Sequence, residues 1–117
     1  VSDDEESDSA LSLVLVNAPP GAAAGIARAL VERHLAACVN VIPGIKSFYF
    51  WDGALQEDSE STLLIKTRTA LVPELTAAIR ALHSYSVPEV LALPIDDKLG
   101  NLEYLAWVRA ETRTAPA

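Results

Sequence analysis

The sequence holds one cysteine, Cys38, and no methionine among its 117 residues. A lone cysteine rules out an internal disulfide, and a reducing compartment suits that usage. Basic residues are scarce too: Lys and Arg total 9 against 16 Asp and Glu. Without a basic surplus the chain has no means of neutralising a phosphate backbone, and nucleic acid is excluded as a partner. Long apolar runs are missing as well. The run Leu11 to Val16 is cut by Asn17, Pro19 and Pro20, well short of the ~18–20 residues of a membrane helix. No basic start precedes it as in a signal peptide, and no membrane partner is expected. The cytoplasm is the expected location, or an organelle if a targeting segment was removed ahead of Val1. Glycine is too sparse for a phosphate loop: Gly21 to Gly25 lacks the lysine such a loop uses, and no serine lies in a nucleophile elbow.

What is present is apolar. Half the residues are hydrophobic and the mean hydropathy is slightly positive, high for a small soluble monomer. The length is that of one domain, and folding buries about 65% of the unfolded surface at this size. The surplus needs a further place to be buried. The net charge of −7 is concentrated: Asp3, Asp4, Glu5, Glu6 and Asp8 supply five negatives, which leaves about −2 for the body. Residues 1–10 read as an acidic, disordered tail, residues 11–112 as one folded domain and residues 113–117 as a short C-terminal tail.

Leu13 to Val16 reads as a strand buried on both faces. Pro19, Pro20 and Gly21 end it and open a helix with Ile26, Leu30, Val31 and Leu35 on one stripe. A β-rich run follows from Ala37 to Trp51, with a bulge expected at Pro43-Gly44. Asp52-Gly53 marks a two-residue type I′ hairpin turn, and the return strand runs from Ala54 to Ile65. Leu71, Leu75, Ala78, Ile79 and Leu82 recur at helical spacing, with Thr69 as the expected cap and Pro73 in the first turn. Val90 to Ile95 reads as a fourth strand, and Asn101 caps a last helix with Leu105 and Val108 on one stripe. The order β-α-β-β-α-β, with a long hairpin between the second and third strands and a C-terminal helix, is an α+β, ferredoxin-like sandwich.

The second strand is too long for the domain. Cys38 to Phe50 extends roughly 40 Å at ~3.3 Å per residue, against a radius of gyration of about 13 Å. Its side chains are apolar on both faces, Ile45, Tyr49 and Trp51 on one and Phe48 and Phe50 on the other. Helices on one face of a sheet cannot cover both, and each large side chain left in water forfeits about 1.5–3 kcal/mol. Two readings stand: a second copy covers the hairpin, or the hairpin bends back over itself. The polar return stretch, Glu57 to Thr62, reads as a solvated guard against stray edge pairing.

Several motifs follow one another in a telling order. They are Ala36-Ala37-Cys38-Val39-Asn40-Val41-Ile42-Pro43-Gly44, Ser47-Phe48-Tyr49-Phe50-Trp51-Asp52-Gly53 and Leu64-Ile65-Lys66-Thr67, then His83-Ser84-Tyr85-Ser86-Val87-Pro88-Glu89 and Tyr104-Leu105-Ala106-Trp107. Together they resemble the CutA divalent-cation tolerance family, over about Leu13 to Arg109. The resemblance implies a ferredoxin-like protomer and a homotrimer built by strand exchange, with Phe48, Tyr49, Phe50 and Trp51 at its interface. It implies a divalent-metal function, copper above all, without established catalysis. The alternative it implies is a PII-like sensor or adaptor that holds a small molecule in an intersubunit cleft and signals to a protein partner. This chain departs from the family in two places. It has His83-Ser84-Tyr85 where members often carry histidine-proline-tyrosine, and a cysteine and a histidine of some bacterial members fall at Val16 and Leu82. A copper site that needs all three ligands is thereby lost.

Metal chemistry centres on His83, a good ligand for copper or zinc, with Glu89 beyond a proline turn that can fold back toward it. Glu57, Asp58 and Glu60 offer oxygens for harder ions. No zinc-type ligand spacing is present. His83 has a second reading as a helix-end residue facing the last carbonyls, as has His34, and Cys38 reads as an inert core thiol. For an organic ligand the resemblance points to Lys66, Tyr85, Pro88 and Glu89, joined by Tyr104 and Trp107. Aromatic walls with one cation and one anion suit a small anionic or zwitterionic molecule. The aromatics also read as interface packing, with Lys66 paired to a carboxylate. For catalysis, His34 and Cys38 straddle a helix–strand boundary, and Asp58 and Glu60, on one strand face, could serve as acid and base but read more simply as solvated edge protection. The chain is therefore not expected to be an enzyme; its expected cofactor is a divalent metal, Cu2+ first, and no organic cofactor.

Overall fold

A computed structural model describes residues 9–114. The outer parts of the two expected tails, residues 1–8 and 115–117, lie outside the described residues. Their inner ends are tied to the body: Arg109 Nε donates to Ser9 O at 2.8 Å, and the Arg113 N–H donates to His34 O at 3.0 Å.

The elements are β1 (Leu11–Ala18), α1 (Pro20–Glu32), β2 (Cys38–Trp51), β3 (Ala54–Arg68), a 3₁₀ turn (Thr69–Leu71), α2 (Val72–Leu82), β4 (Leu91–Pro94) and α3 (Leu102–Glu111). The strands form one antiparallel sheet in the order β2-β3-β1-β4. This is the ferredoxin-like α+β arrangement read from the sequence, with the C-terminal helix added. Alternation along the strands decides what each face does. Val14, Val16 and Ala18 of β1 and Leu63 and Ile65 of β3 pack against Ala23, Ile26 and Leu30 of α1 and Leu75 and Ile79 of α2. Leu13 and Leu15 point the other way and are half-buried, so β1 is fully covered on one face only, not both. A second cluster docks α3: Leu105 and Val108 meet Leu11, Ala37 and Ile95, and Arg68 Nη2 donates to Arg109 O at 2.8 Å.

Local signals place most of the element ends. Pro20 opens α1 at its first position, where its missing N–H costs nothing. At the other end His34 takes a positive φ of 56°. The His34 N–H bonds Val31 O and the Leu35 N–H bonds Leu30 O, both at 3.0 Å, the paired closure of a Schellman end. Val31 is exposed there, so the buried stripe is Ala23, Ile26 and Leu30. Thr69 does not cap α2: a 3₁₀ turn intervenes, and the Thr69 hydroxyl shares a 2.7 Å hydrogen bond with Ser12 Oγ. Asn101 does cap α3, its Oδ1 accepting from the Glu103 N–H at 3.0 Å.

The β2–β3 hairpin governs the shape. Its turn has positive φ at both Asp52 (52°) and Gly53 (77°), as a type I′ turn requires. The register slips between Ile42 and Ile45, where Gly44 has φ 76°. β1 pairs with β3 only from Ser61 to Arg68, so residues 54–60 are paired to β2 alone. The hairpin projects rather than bending back: the molecule measures 51 × 29 × 26 Å. Phe48, Phe50 and Leu55 stay 63%, 74% and 65% exposed.

Candidate functional site

A concavity lies between the hairpin and the segment that follows α2. The His83 N–H closes α2 onto Ile79 O at 2.8 Å, after which the backbone turns extended. The His83 ring does not face those last carbonyls. It is buried, its Nε2 lies 2.8 Å from Asn17 O, and its Nδ1 accepts the Tyr85 N–H at 3.1 Å. A carbonyl only accepts and an N–H only donates, so these partners select the Nε2–H tautomer. The Tyr85 ring lies 4.5 Å from the His83 ring, tilted by 48°. From there Tyr85 Oη donates to Glu60 Oε2 at 3.0 Å. Tyr49 makes the parallel contact one step along the hairpin, donating to the Asp58 carboxylate.

These contacts leave a cleft of about 560 Å³. Ser47, Phe48, Tyr49 and Trp51 of β2 form one wall, Asn17 and Glu60 lie at its side, and Tyr85, Ser86, Val87 and Glu89 form the other wall. Burial pushes the Tyr85 phenol up to about 12, helped by the hydrogen bond to Glu60 and by the charges of Glu60 and Asp58. The Tyr49 phenol is raised first by its hydrogen bond to Asp58 and then by burial.

The residues expected at a ligand site divide into three places. Tyr85 and Glu89 join the hairpin residues Phe48, Tyr49 and Trp51 at the cleft. Pro88 turns to a smaller hollow of about 320 Å³ beside Thr76 and Arg80. Lys66, Tyr104 and Trp107 lie elsewhere: Lys66 Nζ donates to Asn40 Oδ1 and sits 3.9 Å from Cys38 Sγ, while the Tyr104 and Trp107 rings meet at 5.5 Å. Cys38 is half-buried beside these polar groups rather than in the core. Its charge and hydrogen bond add to burial in raising the Tyr104 phenol. The return strand is not uniformly solvated either. Glu57 is exposed beside Lys46 at 3.5 Å, whereas Glu60 is only 5% exposed.

Both His83 nitrogens have protein partners, and among the described residues no group of three His, Cys, Asp or Glu side chains gathers where an ion could sit. Sequence reasoning named Glu60 as an oxygen donor and as part of a solvated edge, not as a cleft residue, and did not place Asn17, Ser47, Ser86 or Val87 at a site. The one available signal was strand alternation: counted from the Asp52-Gly53 turn, it puts Glu60 opposite Ile45 on the face that carries Tyr49 and Trp51.

Residues 12–111 match the CutA1 divalent ion tolerance protein family. The chain belongs to this family. It is 50% identical over 101 residues to the divalent-cation tolerance protein CutA of Thermus thermophilus, covering 86% of this chain and 96% of that one. It is 54% identical over 89 residues to human Protein CutA, covering 76% of this chain. The chain spans about half the length of that human protein (49%) and 58% of the chloroplastic CutA 1 of rice. Among solved structures, CutA1 from Oryza sativa aligns with a TM-score of 0.86 at 44% identity, covering 92% of this chain and 97% of that one. The PII-like protein CutA from Nostoc aligns with a TM-score of 0.83 at 37% identity, over 87% and 97% of the two chains. CutA relatives are named as tolerance proteins, not as enzymes, and the rice and Arabidopsis proteins are named chloroplastic. No helix among the described residues is long and apolar enough to cross a membrane.

Proposed function

We propose that the chain works as a homotrimeric, PII-like sensor: a small molecule enters the cleft beside the hairpin, at a subunit boundary, and its binding is passed to a protein partner. The observation that carries this reading is a preformed cleft along a projecting hairpin whose apolar side chains are uncovered. Phe48, Tyr49 and Trp51 serve both features, since they line the cleft and stand where a neighbouring copy would cover the strand. The PII-like name of the Nostoc relative supports the same reading. Cys38 is a free thiol, which suits the cytoplasm as its location.

A divalent-metal role, Cu2+ first, is favoured by the family's name. His83 would ligate a metal only by giving up Asn17 O or the Tyr85 N–H, whereas the Glu89 side of the cleft is open to an ion. Calorimetric titration of Cu2+ into metal-free protein, run beside a thermal-shift screen of small molecules, separates the two readings. The sensor reading expects a saturable shift from a small molecule and copper binding that is weak and indifferent to His83→Ala. Saturable copper binding that His83→Ala abolishes would put the metal role first.

A further inference from the structure

The chemistry of the cleft restricts the charge of its occupant. Lys66, the cation expected to meet an anion, is turned to Asn40 and Cys38. No Lys, Arg or His stands among the described residues that line the cleft, while two carboxylates do, Glu60 and Glu89. Glu60 is only 5% exposed. Among the described residues its carboxylate receives one side-chain hydrogen bond, from Tyr85 Oη at 3.0 Å, and no ion pair. A carboxylate at the wall of a cleft that holds no cation of its own favours a cationic occupant by simple charge attraction.

The rest of the lining narrows the kind of cation. Tyr49, Trp51 and Tyr85 border the cleft from the face that carries Glu60, and the face of an aromatic ring attracts positive charge. At about 560 Å³ the cleft is far larger than a bare ion needs, and a hard metal ion would want about six oxygens around it. We infer that the cleft takes a small organic ammonium cation, with its charge beside Glu60 and its hydrocarbon body against the rings of Tyr49, Trp51 and Tyr85. This rests on the small-molecule reading above and departs from the anionic or zwitterionic ligand expected with Lys66 at the site.

Three probes with one hydrocarbon body and three charges test it: phenethylammonium, neutral phenylethyl alcohol and phenylacetate. Each is titrated into the full chain while two-dimensional NMR follows the indole N–H signals of Trp51, in the cleft, and Trp107, outside it. Phenethylammonium should shift the Trp51 signal saturably, leave Trp107 in place, and bind about 10-fold more tightly than the alcohol, with phenylacetate weakest. Glu60→Gln should remove that advantage of the amine over the alcohol, and the same spectra verify that the variant is folded. Tyr85→Phe, which keeps the ring and frees Glu60 of its donor, should retain the preference for the amine. Equal binding of amine and alcohol, or tighter binding of phenylacetate, would overturn the inference and leave the small-molecule cleft standing. A Trp51 signal that ignores all three probes would also overturn it, while the wider thermal-shift screen decides the parent reading separately.

Discussion

Tyr85 ties its wall of the cleft to Glu60, and its phenol is the side chain through which pH should act. Burial first, then the hydrogen bond to Glu60, pushes it up to about 12. The folded chain therefore keeps a proton that the unfolded chain has already released, and the associated stability is complete below about pH 10 and is lost as pH rises through about 12. Urea midpoints measured across that window should fall more steeply for the wild-type chain than for Tyr85→Phe. Parallel curves would mean that Tyr85 is not held in the protonated form by its surroundings. The His83-Ser84-Tyr85 motif was legible as a motif, and the sequence placed Tyr85 at a ligand site. It did not disclose that Glu60, 25 residues away, is its partner. Nor did it disclose that Asn17 O would occupy a His83 nitrogen.

At the scale of elements, the end of α1 carries a cost that the chain accepts. His34 sits at the left-handed closing position with φ 56°, where glycine is usual and a side chain costs about 1–2 kcal/mol. The ring recovers part of this through a 3.1 Å contact between Nδ1 and Glu111 O, and the backbone carbonyl accepts from Arg113. His34→Gly should therefore be more stable than His34→Ala by about 1 kcal/mol in chemical denaturation. Equal stabilities would show that the left-handed strain is small here. The other ends followed local rules: Pro20 at the start of α1, Asn101 as the cap of α3, and Asp52-Gly53 at the hairpin turn. Thr69 broke the pattern because its hydroxyl is taken by Ser12 across the sheet, a partner 57 residues away.

The whole molecule is more extended than a compact chain of its length. Its radius of gyration is 15.2 Å against about 13 Å expected for some 100 residues. The excess lies in the hairpin, whose cross-strand pair Phe50 and Leu55 is 74% and 65% exposed. Leu91 and Leu93 of β4 are exposed on the sheet. Exposed apolar side chains as large as these mark candidate interaction surfaces. If copies of the chain cover one another here, sedimentation equilibrium should report about three times the 12.5 kDa protomer. Replacing both Phe50 and Leu55 by Glu should then lower that mass, with the far-ultraviolet spectrum unchanged. A wild-type chain that sediments at one protomer mass would remove the trimer and, with it, the subunit boundary at the cleft.

The sequence by itself determined the elements, their order and the family. Proline, glycine and apolar spacing act on the backbone within a few residues, and spaced motifs survive as local strings. It also determined that the second strand outruns its domain, since strand length follows from residue count alone. Only the tertiary structure decided which polar groups meet. It buried Glu60 under Tyr85, turned the nitrogens of His83 inward, and sent Lys66 away from the cleft to Cys38 and Asn40. Each of those outcomes joins residues distant in the chain, and strand register and the path of the 84–89 segment set them together. No local rule carries that information, because the charge a carboxylate or an imidazole presents depends on what the fold places against it.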